Sequence, residues 1–287
     1  MIRYNVNVCD RIYNEMMIHF TEDCPNNCPF CVDKRNKGIG ERKPNLNKIE
    51  QAIEKYKDDI TQVTISGGEP FIYMEELYEL VSYIKNSTNL KINIVTSVPK
   101  QCVENKELFY KICELCDNIQ ISFGHYDPEK LVKLFGNKHI NDYGRNELIN
   151  EFPYKDKTTI SMNVVKGMSD TKDEILRAIK SLNWFGYKDI KICEMFDADE
   201  YYVDIPKTLG IKMKSPFAHG CKMEYDITKL IPSFDGKLTI KRTCFLRTKC
   251  QKASLSDCFK MLTKYIKKKE YFFGVIHEDG TVAPYWI

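Results

Sequence analysis

Residues 62–70, Gln-Val-Thr-Ile-Ser-Gly-Gly-Glu-Pro, mark a strand that runs into a tight turn. Three consecutive β-branched side chains, Val63, Thr64 and Ile65, favour an extended backbone, and the Gly-Gly-Glu-Pro sequence that follows Ser66 ends such a run. Apolar residues recur at helical spacing on both sides, over residues 47–56 and 74–85. The local order is therefore helix, strand, turn, helix.

The same alternation extends in both directions along the chain. It predicts a parallel sheet with right-handed helical crossovers. Six units favour an α/β fold, a partial (β/α)6 TIM-type barrel, with chemistry at the strand ends. Ser169 and Asp170 are candidate N-caps of the sixth helix. The predicted strands are 16–20, 62–66, 91–96, 118–123, 158–165 and 189–195, and the helices are 47–56, 74–85, 106–116, 128–135, 145–152 and 170–185.

The regular pattern ends near residue 200. Residues 1–200 are predicted to form the barrel core, and residues 201–287 a small C-terminal extension that carries four cysteines. A Lys-rich helix is predicted over residues 255–270. Cys113 and Cys116 lie three residues apart on a predicted helix, where core packing is expected.

Charge and cysteine usage narrow the class of protein. The 287 residues carry a formal charge of +3, which gives no electrostatic case for nucleic acid or an anionic membrane as partner. No apolar run has the length of a membrane helix, and the first residues lack the pattern of a secretion signal. Twelve cysteines then indicate metal binding or free thiols in a reducing, cytoplasmic setting.

Cys24-Pro-Asn-Asn-Cys28-Pro-Phe-Cys31 places three thiols in one short loop after the first predicted strand. Such a loop can hold three corners of an iron–sulfur cubane and leave one iron open, whereas most clusters have four cysteine ligands. Two other interpretations stay open on spacing alone. One is a zinc site completed by His19, and the other is three unrelated cysteines.

The spacing Cys-x3-Cys-x-aromatic-Cys, with Phe30 at the aromatic position, resembles the signature of the radical S-adenosylmethionine (SAM) superfamily. This resemblance implies a partial barrel and a 4Fe–4S cluster on Cys24, Cys28 and Cys31. It also implies that SAM chelates the open iron and is cleaved to a 5′-deoxyadenosyl radical, which abstracts hydrogen from a substrate.

Further motifs in the same order resemble that family's SAM contacts. Gly67, Gly68 and Glu69 match the second-strand motif that receives the SAM ammonium group. Ser122 and Asn163, on the fourth and fifth strands, are candidate ribose contacts, although Phe-Gly after Ser122 departs from the family pattern. The resemblance implies additional roles for two residues, namely Phe30 beside the cofactor and Arg145 at its carboxylate.

The distal cysteines resemble those of the family's auxiliary-cluster extension, called SPASM or twitch. They could ligate a second cluster, although no Cys-x2-Cys pair follows them, or they could be ordinary thiols. Asp235-Gly236 is a hairpin signal, and residues 277–286 resemble the extension's terminal hairpin. The four cysteines are Cys221, Cys244, Cys250 and Cys258.

Three functions follow as hypotheses. The first is a radical SAM enzyme that oxidises, cross-links or rearranges a peptide or small-molecule intermediate, with flavodoxin or ferredoxin as electron donor. The second is a nucleotide- or cofactor-forming rearrangement, like those of deazaguanine or molybdenum-cofactor biosynthesis. The third is a non-catalytic Fe–S or zinc scaffold.

Overall fold

The computed structural model describes residues 15–31, 43–195, 199–211, 222–225, 227, 229–241 and 273–283. All of its strands belong to one sheet. Six strands come from the predicted barrel core: β1 (Glu15–His19), β2 (Gln62–Ser66), β3 (Lys91–Thr96), β4 (Asn118–Ser122), β5 (Thr158–Val164) and β6 (Asp189–Glu194). Four come from the C-terminal region: β7 (Lys222–Tyr225), β8 (Lys237–Lys241), β9 (Phe273–Ile276) and β10 (Val282–Ala283).

The strand order is β10-β9-β1-β2-β3-β4-β5-β6-β8-β7. Eight neighbouring strands, from β9 to β8, run parallel, and β10 and β7 are antiparallel strands at the two edges. Within the described residues the two edges do not pair, so the sheet is open. This confirms the predicted α/β partial barrel. The described strands of residues 201–287 lengthen that sheet at both ends, with β9 beside β1 and β8 beside β6.

Helices connect the parallel strands. The six helices predicted for the barrel core are present to within a turn, and two short helices, Lys100–Glu104 and Ile205–Leu209, were not predicted from the sequence. Asn45, Asn105 and Asp127 accept backbone hydrogen bonds as N-caps of three of the helices. The helices are α1 (Leu46–Tyr56), α2 (Met74–Ser87), α3 (Lys100–Glu104), α4 (Lys106–Leu115), α5 (Pro128–Phe135), α6 (Arg145–Asn150), α7 (Lys172–Trp184) and α8 (Ile205–Leu209).

The N-cap of α7 differs from the predicted one. Thr171 caps this helix, and its hydroxyl and Glu174 form a reciprocal capping box. The Ser169 hydroxyl instead accepts from the Val165 N–H at 3.0 Å, and Asp170 accepts from the Gly167 N–H at 3.0 Å. Both predicted caps therefore stabilise the turn that follows β5.

The two faces of the sheet differ in chemistry. Ile18, Ile65, Ile94 and Ile119 are register partners across four strands, and all are fully buried in the main core. Because successive side chains of a strand point to opposite faces, the residues between them lie on the other face. Cys113 and Cys116 are buried in the same core, as predicted.

The face opposite this core is polar. Asn93 donates to the Thr64 hydroxyl at 3.3 Å. Asn118 donates to the Thr159 hydroxyl at 3.3 Å, and that hydroxyl donates to Asp189 at 3.0 Å. Hydrogen bonds between neighbouring strands thus pair several of the polar groups of this face.

Two predicted hairpin features have different outcomes. β9 and β10 pair around a turn in which the His277 N–H donates to the Thr281 carbonyl at 2.9 Å, which confirms a hairpin within residues 273–283, whereas residues 284–286 of the predicted segment lie outside the described residues. At the other edge, β7 and β8 pair as antiparallel strands, but Asp235-Gly236 lies at the start of β8 and is not a two-residue loop between them. A Cβ on Gly236 would lie 2.3 Å from the Lys188 carbonyl oxygen, so glycine permits close contact with β6.

Across the described ranges, no helix is both long and apolar enough to cross a bilayer. The boundary near residue 200 stays a prediction. The Lys-rich helix predicted over residues 255–270 lies outside the described residues.

Candidate functional site

The cysteine loop, residues 20–31, follows β1 at the carboxyl edge of the parallel strands. Cys24, Cys28 and Cys31 are all partly exposed, and none forms a disulfide. The Cys31 N–H donates to the Cys28 carbonyl at 3.2 Å, which folds the second half of the loop into a turn. The three thiols therefore lie at the edge where parallel α/β proteins place their chemistry.

The Gly-Gly-Glu turn after β2 holds the first half of this loop. The Gly68 N–H donates to the Thr21 carbonyl at 2.6 Å, and the Glu69 N–H donates to the Asp23 carbonyl at 2.7 Å. A Cβ on Gly68 would lie 2.2 Å from the Asp23 oxygen, and Gly67 has φ of +126°. Glycine is thus required at both positions because the cysteine loop packs directly on the turn.

The Glu69 carboxylate is 2% exposed and has four hydrogen-bond donors. One oxygen accepts from the Thr96 hydroxyl at 2.8 Å and the Phe71 N–H at 3.3 Å. The other accepts from the Ser97 N–H at 2.7 Å and the Ser97 hydroxyl at 2.6 Å. Burial raises the pKa of Glu69, whereas these bonds act in the opposite direction. Four donors match the acceptor sites of a carboxylate, so this side chain fixes the turn against the end of β3.

Asn26 extends the network from Ser97 into the middle of the cysteine loop. The buried Asn26 amide donates to the Ser97 hydroxyl at 2.8 Å and accepts from the Asn137 amide at 3.1 Å. These residues were not predicted from the sequence, because their partners lie far away along the chain. They connect the loop to the ends of β3 and α5.

The backbone after Ser97 is strained. Val98 is fully buried and has φ of +57°, a conformation that is unfavourable for a β-branched residue. The Thr96 hydroxyl accepts from the Val98 N–H at 2.8 Å, and Tyr143 donates to the Val98 carbonyl at 3.2 Å. Strain held in place by such contacts is typical of functional sites.

The far side of the cysteine loop rests on the end of α5. The Asn27 N–H donates to the Phe135 carbonyl at 2.7 Å, and a Cβ on Gly136 would lie 2.2 Å from the Asn27 oxygen. Gly136 is the left-handed C-cap of α5, with φ of +58°. The Cys28 side chain packs against the apolar cluster that Leu131, Phe135 and Ile140 form.

Phe30 reaches towards the ends of β5 and β6. It packs in a small apolar cluster with Val165 and Met195, and its ring meets Tyr201 edge-on at a centroid distance of 6.3 Å. The cysteine loop thus extends from the β2 turn to the opposite side of the barrel mouth.

Arg145 is 1% exposed and donates to backbone carbonyls at the ends of two strands. Its Nε donates to the Ser97 carbonyl at 2.7 Å, and its Nη2 donates to the carbonyls of Ser122 and of Phe123, the latter at 3.3 Å. Burial lowers the pKa of Arg145 to about 10. These contacts fix the ends of β3 and β4 relative to each other.

Ser122 and Asn163 end up on the polar face, near the ends of β4 and β5. Both side chains are partly exposed, and within the described residues neither makes a hydrogen bond. They are therefore polar groups near the carboxyl edge, and their role as ribose contacts stays a prediction.

The family can now be identified. The model of the radical SAM superfamily matches residues 18–182, more than half of the chain. The chain belongs to the radical SAM superfamily. It is thus a radical SAM enzyme, and membership implies a 4Fe–4S cluster and SAM.

Known proteins support this placement. Pyruvate formate-lyase-activating enzyme of Staphylococcus aureus (strain USA300) is 24% identical over 238 residues, covering 78% of this chain and 91% of the relative. Streptococcus suis SuiB bound to S-adenosylmethionine has a TM-score of 0.60 at 18% identity, covering 95% of this chain and 60% of that chain. The anSMEcpe structure with bound AdoMet has a TM-score of 0.52 at 13% identity, covering 94% of this chain and 73% of that chain. These structural likenesses show the same fold, and this chain spans 60% of the SuiB chain.

The donor set of this radical SAM chain fits the implied cluster. Burial, followed by the negative charge of Glu69, Cys28 and Cys31, raises the pKa of Cys24 to about 12, and a hydrogen bond to the Asn26 backbone acts in the opposite direction. Iron binds thiolates and offsets this mutual repulsion, so a cluster fits three electrostatically coupled thiols that one short loop carries. His19, the candidate fourth ligand of the zinc alternative, contacts Glu278 at 3.2 Å.

The cysteines of the expected auxiliary cluster lie outside the described residues. Cys221, Cys244, Cys250 and Cys258 therefore keep the role of predicted ligands. The ligand role of Cys24, Cys28 and Cys31 and the SAM contacts likewise stay predictions about individual residues.

Proposed function

We propose that this enzyme reductively cleaves SAM and uses the resulting radical to abstract hydrogen from a peptide or small-molecule biosynthetic intermediate. When bound on Cys24, Cys28 and Cys31, a 4Fe–4S cluster would supply the electron that converts SAM to methionine and a 5′-deoxyadenosyl radical. The substrate would lose a hydrogen atom to that radical and then be oxidised, cross-linked or rearranged.

One observation carries the proposal: the three-thiol loop is hydrogen-bonded directly onto the Gly-Gly-Glu turn at the barrel mouth. The bonds from Gly68 to Thr21 and from Glu69 to Asp23 bring the two motifs into contact. SAM must reach an open iron and bind through its amino acid and ribose at the same time. A cluster loop and a backbone turn that are fixed to each other suit that requirement.

Each residue has a distinct proposed task. The backbone of the Gly67–Gly68 turn would receive the SAM ammonium group, and buried Glu69 would hold that turn in place and contribute negative charge. Ser122 and Asn163 would hydrogen-bond the ribose. Arg145 donates to strand-end carbonyls, so we assign it to positioning the mouth, in preference to binding the carboxylate.

The substrate class follows from the lining of the barrel. The face of the sheet opposite the helices carries hydroxyl and amide groups near the carboxyl ends of β4 and β5, including those of Ser122 and Asn163. Such a lining favours a polar substrate, such as a peptide or a hydrophilic intermediate, over a lipid. Exclusion of water from the mouth would protect the radical from stray donors.

We also propose a second cluster on Cys221, Cys244, Cys250 and Cys258, suited to accept an electron from the substrate radical. Flavodoxin or ferredoxin would supply the first electron. A cytoplasmic location is proposed because clusters on thiolates need reduced cysteines. If no second cluster is present, the deazaguanine- or molybdenum-cofactor-like rearrangement becomes the better proposal.

A second candidate function is activation of a partner enzyme. It is favoured by the Staphylococcus aureus relatives, which are named as pyruvate formate-lyase-activating enzymes and match this chain over 91% of their length. The substrate would then be a protein. SAM cleavage stimulated by the protein fraction of a lysate, and not by its small-molecule filtrate, would favour this candidate.

The decisive experiment measures 5′-deoxyadenosine released by anaerobic protein with SAM and dithionite. We expect release by the wild type and by Cys113→Ala, which removes a buried core thiol, and none by Cys28→Ala. Release by Cys28→Ala equal to that of the wild type would reject the assignment of the loop. No release by the wild type above a protein-free blank would reject the proposed function.

Iron content tests the second cluster separately. About eight irons per chain are expected with two 4Fe–4S clusters and about four with one. Cys250→Ala should lose about half of the iron and keep SAM cleavage. Full iron content in Cys250→Ala would remove that residue from the ligand set.

A further inference from the structure

Two histidines and a glutamate form a cluster that the radical SAM chemistry does not use. His19 ends β1, and His277 and Glu278 follow β9 directly. Their ligand atoms all lie within 4.8 Å of one another, which holds for no other trio of metal-binding side chains in the described ranges. The cluster forms because β1 and β9 pair in parallel with Ile18 opposite Ile276, so both strands end at the same level.

The terminal hairpin holds its two ligands rigidly. The Gly280 N–H donates to the His277 carbonyl at 2.8 Å, and the Asn45 N–H donates to the Glu278 carbonyl at 2.7 Å. A Cβ on Gly280 would lie 2.3 Å from the Cβ of Lys48, so the turn packs tightly on the start of α1. Rigid backbone on both sides is what a pre-organised metal site needs.

An ion pair alone does not account for the cluster. His19 Nδ1 and a Glu278 oxygen lie 3.2 Å apart, which suits a hydrogen bond that joins the hairpin to β1. The Nε2 atom of His277, however, is buried and has no hydrogen-bond partner among the residues that the structure describes. A buried imidazole nitrogen without a partner costs free energy, and a metal ion would satisfy it.

The donor types indicate the class of ion. Two imidazoles and one carboxylate suit zinc and similar divalent transition metals, whereas calcium and magnesium prefer all-oxygen sites. The His19 and His277 rings lie 5.8 Å apart between centroids, so both can face one ion as neutral ligands. Three protein ligands leave room for water as a fourth.

We propose that His19, His277 and Glu278 bind one divalent metal ion of the zinc class, which fastens the terminal hairpin to β1 beside the cysteine loop. This site is distinct from the cluster on Cys24, Cys28 and Cys31. Metal binding at this site does not depend on SAM cleavage, and its test measures bound metal instead of enzyme turnover.

The test uses the anaerobic iron-loaded protein, equilibrated with zinc and then freed of loosely bound ions. Zinc content and X-ray absorption at the zinc edge are measured, and iron does not interfere at that edge. We expect one tightly bound zinc with nitrogen and oxygen ligands at about 2.0–2.1 Å, and not sulfur at about 2.3 Å. A sulfur shell, or no retained zinc in the wild type, would overturn the proposal.

Variants assign the ligands. His277→Gln and Glu278→Gln should bind zinc at least about 10-fold more weakly, because even outer partners of a metal site contribute about 10–100-fold. His139→Gln, a change at an exposed histidine, and Cys28→Ala should retain zinc as the wild type does. Equal zinc affinity in His277→Gln and wild type would overturn the assignment. Zinc should also raise the Tm of the wild type and not that of His277→Gln, provided that both fold.

Discussion

Ser97 donates two hydrogen bonds to one oxygen of Glu69, from its backbone N–H at 2.7 Å and from its hydroxyl at 2.6 Å. The same hydroxyl accepts from Asn26 at 2.8 Å. Two residues at the ends of neighbouring strands thus fix both the Gly-Gly-Glu turn and the loop that carries the three thiols. We therefore expect this buried polar network to hold the loop of Cys24, Cys28 and Cys31 in place against the turn.

Glu69→Gln should weaken this network with almost no change in shape. Both oxygens of the Glu69 carboxylate accept hydrogen bonds from N–H or hydroxyl groups. In glutamine, an NH₂ group replaces one of these oxygens, so two donors would face each other and at least one buried donor would lose its acceptor. We expect a loss of about 1–3 kcal/mol in the free energy of unfolding, measured by denaturant titration. Glu54→Gln, at an exposed glutamate, should stay close to the wild type. Equal stability of Glu69→Gln and wild type would contradict the role of the carboxylate.

Gly68→Ala should displace the cysteine loop. The added methyl would lie 2.2 Å from the Asp23 oxygen, so the backbone must move, and we expect reduced iron content and SAM cleavage. The matched control is Gly167→Ala. Gly167 has φ of +77° with nothing within 4 Å of an added Cβ, so the control costs about 1–2 kcal/mol of backbone strain and should keep its iron. If both variants retain equal iron, the contact between turn and loop does not position the cluster.

Local patterns in the sequence were sufficient for the six core strands and for the cysteine loop. Periodicity and motif spacing depend only on residues that are close together in the sequence. β3 and α5, which such patterns define, begin and end at the predicted residues. Thr171 shows an overlooked local signal, since Thr-Lys-Asp-Glu is a capping-box pattern.

Contacts between distant residues could not be predicted in the same way. Asn26 and Ser97 are 71 positions apart, and each is an ordinary polar residue in its own segment. The parallel addition of β9 to β1 joins residues more than 250 positions apart, and His277 acquires a possible chemical role only through that pairing. The periodicity of a sequence does not encode which distant strand a given strand pairs with.

Arg145→Lys should destabilise the barrel mouth. A lysine keeps the positive charge but has no fork of donors to span the Ser97, Ser122 and Phe123 carbonyls. We expect a loss of about 2–4 kcal/mol in the free energy of unfolding, because buried carbonyls lose their partners. Arg177→Lys, at an exposed arginine, is the control and should change little. If Arg145→Lys binds SAM more weakly than the wild type but has the same free energy of unfolding, Arg145 binds the cofactor directly. The assignment of Arg145 to positioning the strand ends would then be wrong.

His125 follows β4 in the segment Ser-Phe-Gly-His, where the chain departs from the family pattern. It is buried, its Nδ1 accepts from the Asp127 N–H at 2.9 Å, and its ring stacks on Tyr126 at 4.4 Å. Burial lowers the pKa of His125, the nearby charge of Lys130 lowers it further, and Asp127 acts in the opposite direction. The folded protein therefore holds this histidine neutral.

Acidification should remove stability through His125. Because its pKa is lower in the folded state than the unfolded value of 6.5, the unfolded chain takes up the proton first as the pH falls. The contribution is complete above the unfolded pKa and is lost progressively from about pH 6.5 down to the lowered value. Denaturant titrations at pH 7.5 and 5.5 should show a smaller loss in His125→Gln than in the wild type, and His139→Gln should behave as the wild type does. Loss of cluster in acid affects all three proteins alike, so an equal loss in His125→Gln and wild type would exclude His125 as the titrating group.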